Sequence, residues 1–182
     1  MKEFAFPLIV KPVDTYSSRG VKKVSSAAEL TEAFENAKKL SRTGNAIVEE
    51  YVPGTELSVD VYVEEGKAKV LCVTELDKVK EKNKFVIYRA LYPARISKKV
   101  YKEIETVSQK ISDGFKIKNA PMLIQMISDG KKISVLEFCA RTGGGIKYLT
   151  IRQATGFDVI DAVVELTLGN KPHYEPSADT VK

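Results

Sequence analysis

The chain has little that would support several common chemistries. Only two cysteines, Cys72 and Cys139, occur in 182 residues, both in apolar strands. That excludes a disulfide scaffold and fits reduced thiols of a cytosolic protein. The single histidine, His173, lies in the C-terminal tail and takes no role. No apolar run approaches membrane-spanning length, and no signal-like segment follows Met1. Neither a GxxxxGK[ST] nor a GxGxxG motif occurs, which excludes the common phosphate-binding fingerprints. There is also no internal repeat and no low-complexity tract. The formal charge of +5 fits an anion-binding protein. The lysines are spread rather than massed, and Tyr51, Tyr62, Tyr88 and Tyr92 do not interleave with basic residues, so nucleic acid ranks last as a partner.

What is present centres on Leu123 to Gly145, LIQMISDGKKISVLEFCARTGGG. It reads as two strands joined by a turn at Asp129-Gly130, then a glycine run. Glu137 ends the second strand, Arg141 follows, then Gly143, Gly144 and Gly145. A carboxylate, a guanidinium and three glycines suit a meeting point of metal ion, phosphate and ligand. A strict two-residue loop would put Gln125 and Glu137 on opposite faces. A three-residue loop with a glycine bulge would put them on one face as diagonal neighbours, able to serve one hard cation. The plain alternative is an ordinary hairpin with two polar residues in water.

Taken in order, Phe6 to Pro12 reads as a buried strand ending in Lys11, followed by the hydroxyl-rich turn Val13 to Gly20. Hydroxyls and backbone N–H groups in that turn can cradle phosphate, or form a plain polar loop. Ser26 to Glu29 is a capping box that opens a scaffold helix. Ala46 to Thr74 reads as three antiparallel strands with a break at Val52-Pro53, where freed backbone groups can read a planar heterocycle. On the strand Glu56 to Val63, Leu57, Val59, Val61 and Val63 share one face, while Glu56, Ser58, Asp60 and Tyr62 share the other. Leu76 to Lys84 reads as a charged loop, and Phe85 to Ile96 as a strand interrupted by Pro93. Helices are predicted after Ser97, at Ile146 to Ala154, and after Asp158. The expected fold is mixed α+β, with mostly antiparallel sheets and flanking helices. It forms two lobes, 1–51 and 52–182.

Four pieces stand in fixed order: LIVKP, VEEYVPGTELSV, the Gln125–Glu137 hairpin, and ARTGGG. Together they resemble the ATP-grasp superfamily of carboxylate–amine and carboxylate–thiol ligases. The run RTGGGIKYLTIRQATGFDVIDA looks most like amino-acid ligases and related peptide-bond-forming members. The resemblance implies the cofactors ATP and Mg²⁺ or Mn²⁺, a small carboxylate and an amine as substrates, and no nucleic acid or membrane partner. It admits a homodimer. Lys11 matches the lysine that holds the α- and β-phosphates. Ser17, Ser18, Arg19 and Gly20 match the phosphate-covering loop. Glu49, Glu50, Tyr51 and Val52 match the hinge that reads adenine, with Glu49 a candidate for its amino group. Glu56 matches the ribose carboxylate, and Leu136 joins the nucleotide set. Gln125 and Glu137 match the metal positions. Arg141, with Lys11, is carried over as catalytic, steadying the phosphorylated intermediate or the substrate carboxylate. Gly143 to Gly145 match the acceptor loop.

Two departures stand out. Glu137-Phe138-Cys139 replaces the family's Glu-x-Asn, and the phosphate loop is poor in glycine. The family's preceding domain is absent, so the chain is expected to be part of a longer protein, weakly active or inactive by itself. The alternative function is a nucleotide-binding or interaction module of the same fold without turnover.

Overall fold

In the computed structural model, residues 5–79 and 85–175 are described. They divide into two compact units, residues 5–52 with 78–79 and 85–89, and residues 53–77 with 90–175. The first unit follows from alternation in LIVKP. Leu8, Val10 and Pro12 point to one side of β1 (Leu8–Pro12) and are buried, while Ile9 and Lys11 point to the other. β1 is the middle of a three-stranded antiparallel sheet, between β2 (Lys22–Val24) and β3 (Ala46–Glu50). Helix α1 (Ala27–Leu40) covers its apolar face through Ala33 and Ala37, with Leu30 and Phe34 beside them. Ser26 caps α1 by accepting from the Glu29 N–H at 3.3 Å. The return arm of the expected capping box reaches one residue further, from the Ser25 N–H to Glu29 Oε2 at 2.7 Å. The other face of the sheet carries Lys11, and among the described residues no helix of this unit covers it.

The second unit holds most of a five-stranded antiparallel sheet, β6 (Ile87–Leu91), β5 (Lys67–Lys78), β4 (Thr55–Glu64), β7 (Ala120–Ser128) and β8 (Ile133–Cys139) in spatial order, of which Lys78 and residues 87–89 count with the first unit. β4 is central and buried on both faces. Leu57, Val59, Val61 and Val63 pack with Met122, Ile124 and Met126 against Val100 and Ile104 of α2 (Lys98–Gly114). Ser97 caps α2 through the Val100 N–H at 3.3 Å. On the opposite face, Tyr62, Leu71 and Cys72 pack against Ile151 of α3 (Lys147–Thr155) and Val159 and Ala162 of α4 (Val159–Thr167). Truncating a fully buried core residue such as Ile104 to alanine costs about 2–5 kcal/mol.

Two sequence expectations are corrected. β3 does not pair with β4; it joins β1, from Leu8↔Glu50 to Pro12↔Ala46, so Ala46 to Thr74 is not one three-stranded unit. Pro53 and Gly54 break the strand, and the polypeptide changes sheet there. β5 also runs on to Lys78, past the loop expected from Leu76. Apolar burial of Leu76 and the pairing of Glu56 with Leu76 outweigh the local charge. The remainder of that expected loop, residues 80–84, lies outside the described residues.

Candidate functional site

In the first unit two of the candidates, Lys11 and Glu49, meet on one face of the small sheet. The Lys11 ammonium lies 2.7 Å from Glu49 Oε2, both half-buried. Register explains the meeting, since Glu49 is opposite Ile9 and Lys11 is one step along the same face. Glu50 falls on the other face by alternation and is exposed. Lys23 is also opposite Ile9, from β2, and its ammonium sits 3.4 Å from the centroid of the Tyr51 ring. Tyr51 is tied further by its N–H to the Pro7 carbonyl at 3.3 Å. Val52 follows it outside any strand.

The hydroxyl-rich turn is shaped by its own bonds. Thr15 Oγ1 donates to the Arg19 carbonyl at 2.8 Å, the Arg19 N–H donates to the Tyr16 carbonyl at 3.1 Å, and the Val21 N–H to the Ser18 carbonyl at 3.2 Å. Ser17 and Ser18 both hold left-handed backbone, φ 53° and 56°, which is uncommon for residues with a Cβ. Asp14 anchors the start of the turn, accepting from the Arg42 and Thr43 N–H groups at 3.2 and 3.0 Å. Burial works to raise the Asp14 carboxyl, but bonds from Ser41, Thr43 and Arg42 outweigh it and hold it below the usual range.

In the second unit the candidates form one row. Ser58 is paired with Thr74 on one side and Gln125 on the other, and Gln125 is paired with Glu137. Thr74, Ser58, Gln125 and Glu137 therefore project from one face across β5, β4, β7 and β8. Gln125 and Glu137 share a face as direct partners, not diagonal neighbours. The turn does not achieve this. Ser128 pairs with Ile133 across a four-residue connection closed by Asp129, whose Oδ1 accepts from the Lys131 and Lys132 N–H groups at 2.7 Å each. The parity changes later, at a bulge where Met126 faces Val135 and Gln125 faces Glu137, leaving Leu136 as the extra residue. Glu56 stands one step along the same face, buried and engaged within the protein. Arg141 is exposed and donates to the Thr142 carbonyl at 2.7 Å.

The inner half of the row is filled by Lys147, which the sequence reading did not single out. Its ammonium contacts Ser58 Oγ and Asp60 Oδ2 at 3.1 Å each and hydrogen-bonds Thr74 Oγ1. Burial pushes the Asp60 carboxyl up, and Lys147 and the Gly143 N–H pull it back in part. The outer half is different. Among the described residues, the side chains of Gln125 and Glu137 have no protein partner.

The sequence profile of the ATP-grasp domain matches residues 4–149. The chain belongs to the ATP-grasp family. A D-alanine–D-alanine ligase of Azobacteroides pseudotrichonymphae genomovar. CFP2 is 35% identical over 144 residues, 74% of this chain and 43% of the relative. Among solved structures, the L-amino acid ligase from Bacillus licheniformis matches with a TM-score of 0.70 at 24% identity, over 92% of this chain and 40% of that one. Biotin carboxylase from Campylobacter jejuni gives a TM-score of 0.77 at 16% identity, over 98% and 40%. Likeness at these identities speaks for the fold. The chain spans about half the length of the curated relatives it matches.

The amide oxygen of Gln125 and the carboxylate of Glu137 are hard donors on one face. Among the described residues no group of three or more His, Cys, Asp and Glu gathers. The two oxygen donors Gln125 and Glu137 are of the kind Mg²⁺ takes, an ion that uses one or two protein oxygens and completes its shell with phosphates and water. Cys139, two residues on and on the same face, brings a thiol, a poor ligand for such an ion. No described helix is long and apolar enough to cross a membrane.

Two sequence signals could have pointed to Lys147. It stands two residues past the glycine run, and Asp60 stands between valines on a strand with a fully apolar opposite face. A carboxylate in such a strand needs a cation.

Proposed function

We propose that this ATP-grasp domain serves an ATP-dependent ligase that activates a small carboxylate, with an amino acid as the favoured class. A carboxylate oxygen attacks the γ-phosphorus of ATP, ADP leaves, and an acyl phosphate forms. An amine nitrogen then attacks the acyl carbon, phosphate leaves, and the nitrogen loses a proton. Lys11 takes the α- and β-phosphates, with Glu49 orienting its ammonium and accepting from the adenine amino group. Ser17 to Gly20 cover the phosphates, and Glu50, Tyr51, Val52, Glu56 and Leu136 complete the nucleoside contacts. Gln125 and Glu137 hold the Mg²⁺ or Mn²⁺ that accompanies the phosphates, and Arg141 steadies the acyl phosphate. Phosphoryl transfer asks for charge neutralisation and alignment more than covalent help. The lobe boundary at Val52 and a homodimer are parts of the same proposal.

The observation that carries this reading is the row ending in Gln125 and Glu137. Its inner members are satisfied by Lys147, while its outer members offer two oxygen donors with no protein partner among the described residues. Calorimetric titration with Mg-ADP tests it. Lys11→Ala and Glu137→Ala are each expected to weaken binding about tenfold or more, the scale of one charge-assisted contact. Both side chains lie outside the hydrophobic clusters, so melting temperatures should barely move. Undiminished affinity after both changes rejects the site.

A second reading, a nucleotide-binding module without turnover, is favoured by Cys139. ADP release with a panel of amino acids separates the two. Release only after Cys139→Asn would mark a lost activity.

A further inference from the structure

Both ends of the segment 143–147 lie against one carboxylate on the floor of the sheet. The Gly143 backbone approaches Asp60 closely, and Lys147 Nζ reaches Asp60 Oδ2 at 3.1 Å. A Cβ on Gly143 would sit 2.8 Å from Asp60 Oδ1, so only glycine lets the backbone come this close. The pair is buried, with side-chain exposures of 15% for Lys147 and 4% for Asp60. Ser58 and Thr74 satisfy more of the ammonium.

Burying two charges is expensive, and a well-packed apolar pair would usually hold a fold as well or better. The position of the pair gives it another use. Ser58 and Thr74, which it engages, continue in register into Gln125 and Glu137. Cys139, the last ladder residue of β8, faces Leu123, and Leu123 faces Asp60. Arg141 therefore lies on a short span between a strand end and a clamped glycine, both referred to the same part of the sheet.

We infer that Asp60 and Lys147 are a positioning pair. Together they fix the glycine loop, and with it Arg141, relative to Gln125 and Glu137, so that the acyl-bearing substrate meets the metal-bound phosphates in register. This rests on the ligase reading for its purpose, but the clamp itself can be tested without ligand.

The test compares wild type, Lys147→Met, and the neutral double variant Asp60→Asn/Lys147→Met. The single change leaves a buried carboxylate unpaired and should lower the melting temperature; the double change should restore it. Amide hydrogen exchange at residues 143–146 should nevertheless stay about tenfold faster than wild type in the double variant, with β4 and β7 unchanged. In an ADP-release assay, the amino-acid KM should rise about tenfold while Mg-ADP affinity stays within about twofold. A merely structural pair would lose both effects once stability returned. Wild-type exchange in the double variant overturns the inference, and so does its failure to fold, because a pair required everywhere is no loop device. If wild type does not bind Mg-ADP, the ligase reading fails, while the exchange result still decides the clamp.

Discussion

Cys72 and Cys139 carry the same thiol in different surroundings. Cys72 is buried beside Asp60, and burial pushes its thiol up to about 12. Lys147 acts against that shift and Asp60 adds to it. Only the thiolate is a nucleophile, so at pH 8 roughly one Cys72 in ten thousand is reactive. Cys139 is partly exposed. An aromatic disulfide reagent should therefore find one fast thiol in the native protein, Cys139, and two in denaturant. Equal rates for both thiols would contradict the packing of Cys72. His173, by contrast, is exposed and bridges acids, its Nδ1 on Glu64 and its Nε2 3.1 Å from Glu175. The bond to Glu64 raises its pKa above 6.5, with help from Glu175. Protonated His173 thus stabilises the folded tail fully below pH 6.5, and this is lost as pH rises through the raised value. Burial works to raise Glu64, but bonds from Lys69 and His173 outweigh it and hold the carboxyl below 4.5. Its contribution is present above pH 4.5 and is lost as pH falls. The lone histidine makes the check simple. Its proton resonance should titrate above 6.5, and Glu64→Gln should bring it back toward 6.5.

Elements were legible where the signal was local. Ser26, Ser97 and Asp158 announce their helices because a cap needs only a side chain and the next turn. The apolar face of β4 was readable from alternation. What needed tertiary pairing was not. No residue near Ala46 says that β3 will pair with β1, and no turn signal marks the bulge at Leu136 that puts Glu137 beside Gln125. The Lys147–Asp60 contact joins residues 87 apart in sequence and depends on where α3 begins relative to β4. Gly54 is a local signal with a nonlocal cause. It holds φ 152°, and a Cβ there would lie 2.3 Å from the Ser128 carbonyl oxygen of β7. Gly54→Ala should cost on the order of 2–3 kcal/mol, lowering the melting temperature by roughly 5–10 °C. Gly66→Ala, at φ 82° in open space, should cost only about 1 kcal/mol. Equal costs would mean that the contact with β7 is not the cause.

At the scale of the whole molecule, family membership and residue placement make one linked prediction. A ligand that binds only the folded state raises stability by about 2.7 kcal/mol at a hundred times its Kd. For a chain of this size that is roughly 5–10 °C in melting temperature. Mg-ADP should produce such a shift, and chelating the metal with EDTA should reduce it to what ADP alone gives. The two candidate sets then separate by how they respond. In the proposed site Lys11 would act on phosphate directly, so Lys11→Ala should lower the shift with and without metal by similar amounts. Glu137 would act through the ion, so Glu137→Ala should leave the metal-free shift intact and erase the difference that Mg²⁺ makes. If Glu137→Ala retains a full Mg²⁺-dependent increment, the ion is held elsewhere. The row of oxygen donors would then lose its assigned chemistry even though the fold and the family stand.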